Sequence, residues 1–417
     1  MPRSAAAERR RRQPLESNVL LTATLCLLAF GAVMVYSASS ARTLLEGSGD
    51  SSGYLVRYLG YGAVGVLLMQ VLARRRLDLV VKATGPLLAV AFLCLLAVKI
   101  PGVGVQINGA RRWLGAGPVQ FQPSEVAKLA LVLYAARILA ERPGRLRHPR
   151  QITPLLLVAG IAILLVASQP DLGTAMVMTA TVAALLVAAG LPARHLAAGV
   201  TGAAGLVFVY AMSAEYRRDR LMTFLNPWDH AADAGFQAVQ GQIALGSGGI
   251  LGRGLGQSQQ KNLFLPEAHT DFVLAIIGEE LGIAGVFALV FLYGLLAYAG
   301  LRVARRASGA YAKLLAAGVT SIILCQASLN MFAILGLAPL TGVPLPFISY
   351  GSTNLIVLLG GVGLLLNVAG GGSVHLRALS GTRDRAGSAR GRDVPDRSRR
   401  DGRARGARAG GRRRAAG

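Results

Sequence analysis

The sequence predicts an all-α polytopic membrane protein with about ten transmembrane helices, and three observations support this prediction. Of the 417 residues, 53% are hydrophobic and only 15% are charged. The apolar residues form long uninterrupted blocks, a pattern that the core of a soluble protein does not produce. The net charge of +24 is concentrated at the chain ends and in short connections. This distribution is typical of an oriented membrane protein and argues against a nucleic-acid partner.

Ten apolar blocks approach the roughly 20 residues that a helix needs to cross the hydrocarbon core. Their approximate bounds are 19–37, 55–72, 84–100, 123–140, 152–168, 172–189, 195–212, 271–299, 313–335 and 352–369. An even number of spans puts both termini on one side of the membrane. The connections rich in Arg and Lys, at 74–82, 142–150 and 302–313, then all face the cytoplasm, as the positive-inside rule requires.

The chain divides into a basic cytoplasmic tail at 1–17, a transmembrane domain at 18–370 and a second basic cytoplasmic tail at 371–417. The basic N-terminal cluster and the apolar run after it resemble a signal peptide, but no cleavage site followed by a soluble domain comes next. We therefore expect this run to be the first span. The second tail lacks large apolar residues, so we expect it to be disordered.

The connections on the outer side are unusual. The segment 213–270, between the seventh and eighth spans, is far longer than an ordinary connection, which is typical of functional loops. Three prolines in 336–351 predict a broken helix or a re-entrant loop. The glycine-rich stretch 246–256 does not match the dinucleotide-binding spacing, so it predicts a tight fold-back or close packing.

Several basic residues on the outer side contradict the orientation rule and therefore need a reason. Guanidinium groups bind phosphate oxygens in bidentate fashion, so a pyrophosphate whose lipid tail stays in the membrane is a sufficient one. Pairing with local acids such as Asp219, or extension to the lipid interface, remains an alternative. The residues are Arg111, Arg112, Arg217, Arg218, Arg220, Arg253 and Lys261.

Ionisable residues begin the fourth predicted span. Glu125 and Lys128 are three residues apart, so they share a helical face and can pair. Charged groups inside a span normally face a cavity or a partner. The helix dipole alone could explain Glu125, but a cation gains nothing near a helix N-terminus.

A second polar cluster, Glu267, His269 and Asp271, lies at the start of the eighth predicted span. Thr270 or Asp271 could simply be the helix N-cap. The density of acidic groups, with Glu279 and Glu280 two turns further on, favours a chemical role instead. A carboxylate at a helix N-terminus beside arginines stays ionised and is available as a base toward a sugar hydroxyl.

Together these motifs resemble the SEDS family, the rod-shape, sporulation and division proteins that polymerise peptidoglycan outside the cytoplasmic membrane. The run from Gly256 to Asp271 is more similar to the division-type members than to the elongation-type members, although Gln120 stands where some division-type members carry a basic residue. The matching strings are Asn108–Trp113, Gln122–Lys128, Gln169–Gly173, Arg220–Trp228, Gly246–Gly249, Leu265–Phe272 and Pro344–Ser352, and the resemblance covers about residues 18–370.

The resemblance implies a SEDS-type fold in the bacterial cytoplasmic membrane, at the division septum. It implies a glycosyltransferase acting on lipid II, a disaccharide-pentapeptide on undecaprenyl pyrophosphate. A class B penicillin-binding protein and other division proteins are the implied partners. Asp271 is the implied catalytic base, which deprotonates the acceptor hydroxyl. The implied substrate-binding residues are Arg111, Arg112, Trp113, Glu125, Lys128, Asp171, Arg220, Glu267 and His269.

Other functions are compatible with the same residues. A lipid II flippase would also use an anionic lipid, but a transporter site is expected near the bilayer midplane. An elongation-type polymerase and a scaffold for division partners are further alternatives. No metal site is predicted, because Cys26, Cys94 and Cys325 lie inside apolar blocks without ligand spacing. Assistance from a divalent cation, Mg²⁺ or Mn²⁺, is left open.

Overall fold

A computed structural model of the protein describes residues 15–45, 52–107, 109–116, 119–141, 152–212, 218, 222–233, 235–261, 265 and 268–374. Both tails beyond these bounds, together with Arg217, Arg220 and Glu267, lie outside the described residues, so the predictions about them stay predictions. The longer helices of the described part are α1 (Leu15–Leu45), α2 (Gly53–Arg74), α3 (Leu77–Ala97), α4 (Pro123–Ala140), α5 (Thr153–Ala167), α6 (Leu172–Ala188), α7 (Ala193–Met212), α8 (Phe236–Ser247), α9 (Val273–Arg306), α10 (Ala310–Ile334) and α11 (Ser352–Ala369).

Every predicted span coincides with one of these helices. Within the described residues, α1, α2, α3, α9, α10 and α11 are long and apolar enough to cross a membrane, and α5 and α6 are shorter apolar helices. The chain is therefore a helical, multi-pass membrane protein. The total of ten spans and the cytoplasmic position of both termini stay predictions.

Helices α10 and α11 form the centre of the bundle. In their most apolar stretches 67% and 72% of the residues are buried, compared with 22–39% in the other four long apolar helices. Small residues in α11 allow close approach, since a side chain at Gly363 would overlap the backbone of Met69 in α2. Neighbouring elements therefore enclose α10 and α11 on most sides, and the polar residues described in the next section pack against these two helices.

The all-α prediction is wrong in one respect, because the connection between α3 and α4 contains a small antiparallel sheet. Its strands are β1 (Gly104–Ile107), β2 (Ala110–Ala116) and β3 (Val119–Phe121), in the order β1-β2-β3. Ile107 pairs with Ala110, so two residues separate the paired ends of the strands. Two-residue hairpin connections favour Asn-Gly, and the sequence has this pair at 108–109.

The segment between α10 and α11 descends into the bundle, as the prolines predict. The Gln326 side-chain amide donates to the Pro344 carbonyl at 2.9 Å, and the Tyr293 hydroxyl donates to the Pro346 carbonyl at 2.5 Å. Gln326 lies eight residues before the end of α10, which is about 12 Å along the helix axis. Side chains and neighbouring helices thus supply the polar partners that this non-helical backbone needs.

Candidate active site

Asp271 lies at the start of α9, where the chain enters the bundle. The N-cap position of α9 is Phe272, one residue after Asp271. The Asn330 side-chain amide donates to the Asp271 carbonyl at 2.9 Å and to the Val343 carbonyl at 2.8 Å. A single amide from α10 therefore fixes the backbone at Asp271 against the segment between α10 and α11.

One glycine, Gly342, brings backbone close to the Asp271 carboxylate, and a second, Gly173, allows the same segment to pack on α6. A Cβ atom at Gly342, where φ is +68°, would lie 3.2 Å from Asp271 Oδ2. One side of the same segment packs on the start of α6, since a Cβ at Gly173 would lie 2.3 Å from the Val343 side chain. The carboxylate thus sits beside a turn that has no room for additional atoms.

His269 is buried in an aromatic cluster behind Asp271. Its ring lies 4.8 Å from the Tyr54 ring and 5.9 Å from the Tyr350 ring, measured between centroids. The Tyr350 backbone N–H donates to the His269 carbonyl at 3.0 Å. The cluster joins the N-terminal end of α2 to the residues preceding Asp271.

The two predicted arginines of the sheet have different surroundings. Val105 pairs with Trp113 and the next residue, Gln106, pairs with Arg111, so Arg112 is the extra residue of a β-bulge. Because Val105 and Gln106 point to opposite faces of the sheet, Arg111 and Trp113 also lie on opposite faces. Arg112 Nε donates to the Gln169 carbonyl at 3.1 Å, and its guanidinium also donates to the Pro170 carbonyl. Arg111 is exposed and Trp113 is half-buried. Arg112 therefore fastens the sheet to the turn before α6.

Asp171 joins the starts of two helices beneath the sheet. Its Oδ1 accepts from the Thr174 N–H at 3.2 Å and caps α6. Its Oδ2 accepts from Gln122 Nε2 at 3.2 Å and from Ser124 Oγ at 3.3 Å. The start of α4 and the start of α6 are therefore linked through one buried carboxylate.

Glu125 and Lys128 form the ion pair that their spacing predicts. Lys128 Nζ lies 2.9 Å from Glu125 Oε2, and each side chain is 2% exposed. Lys128 also donates to Gln326 Oε1 at 2.7 Å, and Asn354 Nδ2 donates to Glu125 Oε2 at 2.6 Å. The cavity beside the pair, about 10 Å³, has room for about one water molecule. This network joins α4, α10 and α11 below the Pro344 carbonyl.

Two buried amides that complete the site were not predicted from the sequence. Gln326 and Asn330 are four residues apart in α10, hence on one face of a helix whose other residues are mostly apolar. Polar residues within a span are costly unless they find partners, and that signal could have identified both.

Among the described residues, no group of three or more His, Cys, Asp and Glu could hold a metal ion.

Comparison with known proteins gives a family match along most of the chain. Residues 18–372 match the family model of FtsW, RodA and SpoVE, described as cell cycle protein. The probable peptidoglycan glycosyltransferase FtsW of Geobacter metallireducens is 38% identical over 352 residues, which are 84% of this chain and 94% of that protein. Stage V sporulation protein E of Bacillus subtilis is 38% identical over 358 residues, 84% and 96% of the two chains.

Solved structures resemble the fold over the same extent. One, from work on the structural coordination of polymerization and crosslinking by a peptidoglycan synthase complex, has a TM-score of 0.71 and 32% identity, covering 84% of this chain and 96% of that one. The rod shape determining protein RodA of Thermus thermophilus has a TM-score of 0.62 and 29% identity, covering 84% and 95%.

Proposed function

Because the chain belongs to the cell cycle protein family of FtsW, RodA and SpoVE, we propose that it is a peptidoglycan glycosyltransferase that polymerises lipid II at the outer face of the bacterial cytoplasmic membrane. The observation that supports this most directly is the position of Asp271. Its backbone is fixed by Asn330, and its carboxylate lies beside the Gly342 turn at the outer end of the bundle.

In the proposed reaction, the Asp271 carboxylate accepts the proton of the acceptor's 4-hydroxyl. The acceptor oxygen then attacks the anomeric carbon of the donor lipid II, and the bond from that carbon to the pyrophosphate oxygen breaks. Undecaprenyl pyrophosphate leaves with the bonding electrons, and the α-linkage inverts to β. A base that removes this proton as the new bond forms lowers the barrier to attack.

The sheet supports a division of roles among the predicted binding residues. Arg112 donates to two backbone carbonyls, so we assign it to holding the sheet. We assign Arg111, which is exposed, to the pyrophosphate together with Arg220, and Trp113, which is half-buried, to a sugar ring. Developing charge on the leaving group would be stabilised by these guanidinium groups.

The buried ionisable groups support the site from below in this proposal. Glu125 and Lys128 neutralise each other and hold α4 against α10 and α11. Asp171 caps α6 and positions the turn to which Arg112 is fastened. Glu267 and His269 stay predicted substrate contacts, and His269 would also hold the aromatic cluster in place.

A flippase would require its binding site near the bilayer midplane. Asn330, which holds Asp271, lies only four residues before the outer end of α10. That position supports polymerisation at the surface over transport through the bundle. We further propose a class B penicillin-binding protein as partner and the division septum as the place of action.

The proposal is tested with the purified chain and a class B penicillin-binding partner supplied with lipid II. An inhibitor of classical glycosyltransferases is present throughout. Wild type is expected to form glycan strands, and Asp271→Asn is expected to form none. Asp229→Asn is the matched control, since Asp229 is an exposed acid in the same outer segment. Strands formed at equal rate by Asp271→Asn would disprove the proposed base.

Two further arms of this experiment separate the alternatives. Lipid II that crosses vesicle membranes without strand formation would support transport instead. Activity that EDTA abolishes and Mg²⁺ or Mn²⁺ restores would identify a divalent cation as a participant. In cells, a fluorescent fusion is expected at the septum, whereas a signal along the lateral wall would indicate the elongation role.

A further inference from the structure

Helix α9 is broken near its outer end. Gly282 has φ +66° and ψ −162°, values that no helical residue adopts. The break interrupts the hydrogen-bond ladder and leaves carbonyls before it and N–H groups after it without their helical partners. In a membrane, such groups need partners from elsewhere in the protein.

The glycine-rich stretch supplies these partners from its own backbone. Arg253 N and Gly254 N donate to the carbonyls of Glu279 and Glu280, each at 3.0 Å. On the other side of the break, Ile283 N donates to the Gly249 carbonyl at 2.9 Å. Ala284 N donates to the Ile250 carbonyl at 3.1 Å. The stretch therefore completes the ladder on both sides of Gly282.

This close contact explains the glycines. Gly252 has φ +79°, and a Cβ there would lie 2.2 Å from the Glu280 carbonyl oxygen. A Cβ at Gly248 would lie 1.8 Å from the Gly278 carbonyl oxygen. The tight fold-back predicted from the sequence is thus a turn pressed against the broken part of α9.

Two buried carboxylates hold the residues that follow the turn. Glu279 accepts from Ser258 Oγ at 2.5 Å and from Arg253 Nη1 at 3.2 Å. Glu280 accepts from Lys261 Nζ at 3.0 Å and from Ser37 Oγ of α1 at 2.7 Å. The turn is therefore fastened at its far end as well as against the helix.

The tip of this turn is apolar and exposed. Ile250 is 74% exposed and Leu251 is 80% exposed, although both belong to a turn fixed by four backbone hydrogen bonds. Exposing two large aliphatic side chains to water on a rigid turn is unfavourable. The depth of the turn in the membrane decides whether water or lipid acyl chains surround them.

The level follows from the length of α9. Arg302, which pairs with Glu16 at 3.4 Å, begins the basic connection that the positive-inside rule assigns to the cytoplasm. Ala284 lies 18 residues before Arg302, which corresponds to about 27 Å along the helix axis. The hydrocarbon core is about 30 Å thick. Ile250, whose carbonyl bonds to Ala284, is thus level with the outer edge of the hydrocarbon core.

We infer that residues 249–252 form a shallow re-entrant turn whose Ile250 and Leu251 side chains insert among the acyl chains of the outer leaflet. The inference does not depend on the proposed function, because it rests on backbone hydrogen bonds, exposure and helix length. It gives the long outer segment a lipid anchor on the same helix that begins beside Asp271.

The test uses single cysteines labelled with an environment-sensitive fluorophore, in the full chain in lipid nanodiscs. The three natural cysteines are first replaced by alanine. The label is placed at Leu251→Cys and, as an independent second position, at Ile250→Cys. Phe291→Cys, 65% exposed on α9, is the hydrocarbon control, and Gln106→Cys, exposed on β1, is the aqueous control. Labelled proteins are compared only if their melting temperatures match that of the unlabelled background.

The inference predicts a blue-shifted emission at positions 250 and 251 relative to position 106. It also predicts stronger quenching by lipids that carry a nitroxide near the headgroup than by nitroxides deep in the chain or by aqueous iodide. Quenching mainly by iodide, as at position 106, would show that the turn lies in water. Protection from both kinds of quencher would show that protein covers the tip. Either result overturns the inference.

Discussion

The Asn330 side-chain amide donates to the backbone carbonyl of Asp271 at 2.9 Å, and the same nitrogen donates to the Val343 carbonyl at 2.8 Å. Asn367 makes a chemically similar contact at the other end of the bundle. Its amide donates to the Leu72 carbonyl at 2.8 Å and to the Arg75 carbonyl, and so satisfies carbonyls at the C-terminal end of α2. The two asparagines make the same kind of contact, but Asn330 holds the backbone at Asp271 and Asn367 holds the end of α2. Asn367 can therefore serve as the control for Asn330.

Asn330→Ala is expected to reduce glycan-strand synthesis far more than it reduces the amount of folded protein. Loss of the amide leaves two carbonyls without this donor, which costs about 1–3 kcal/mol of stability. It also releases the backbone at Asp271, and a misplacement of about 1 Å can cost on the order of 100-fold in rate. The measurement is strand synthesis per folded protein, with the melting temperature taken in parallel.

Asn367→Ala is the control for that experiment. It removes a comparable pair of hydrogen bonds and is expected to lower the melting temperature by a similar amount, but to keep the activity per folded protein. If both variants lose activity in proportion to their loss of stability, Asn330 has no positioning role beyond folding.

Lys128→Met is expected to destabilise the protein severely, because Glu125 would lose its ion-pair partner in a site where its side chain is only 2% exposed. Breaking a buried ion pair by removing one partner costs about 3–5 kcal/mol. The double variant Glu125→Gln with Lys128→Met removes both charges and should recover most of this loss. Melting temperatures of the single and double variants in nanodiscs check the prediction. Additive losses would mean that the two residues act independently.

The sequence could predict the parts of this fold that depend on local pattern. Apolar blocks of sufficient length identify the spans, because only a helix satisfies its own backbone in lipid. The three-residue spacing of Glu125 and Lys128 was enough to predict their ion pair, since that spacing places both on one helical face. Prolines between α10 and α11 likewise indicated a backbone that leaves the helical path.

Contacts between distant segments could not be predicted in the same way. The hydrogen-bond partners of the residues on either side of Gly282 come from about 30 positions earlier, and nothing in the spacing of either segment specifies that pairing. The same holds for Asn330 and Asp271, which are 59 positions apart. The sheet was missed for a different reason, because its strands are only three to seven residues long and alternate weakly.

Gly342→Ala is expected to reduce the turnover number by roughly tenfold or more. A methyl group there would lie 3.2 Å from Asp271 Oδ2 and would move either the carboxylate or the turn. Gly190→Ala is the control, because Gly190 also has a positive φ but its Cβ would meet nothing within 4 Å. Both carry a backbone strain of roughly 1–2 kcal/mol. Equal turnover numbers for the two variants, measured on lipid II, would disprove the steric argument.

Arg111→Ala and Arg112→Ala are expected to fail in different ways, although the two residues are neighbours on β2. Arg111 is exposed, so its loss should leave the melting temperature unchanged. It should raise the KM for lipid II by roughly 10-fold or more, because a charge-assisted hydrogen bond contributes about 1.5–3 kcal/mol.

Arg112 binds the carbonyls of Gln169 and Pro170, so its loss should lower the melting temperature first. Arg112→Lys should not restore it, because an ammonium group lacks the planar fork that reaches both carbonyls. Initial rates over a range of lipid II concentrations, with melting curves on the same samples, separate the two effects. An unchanged KM in Arg111→Ala would remove Arg111 from the proposed pyrophosphate site and leave that role to other basic residues of the outer segment.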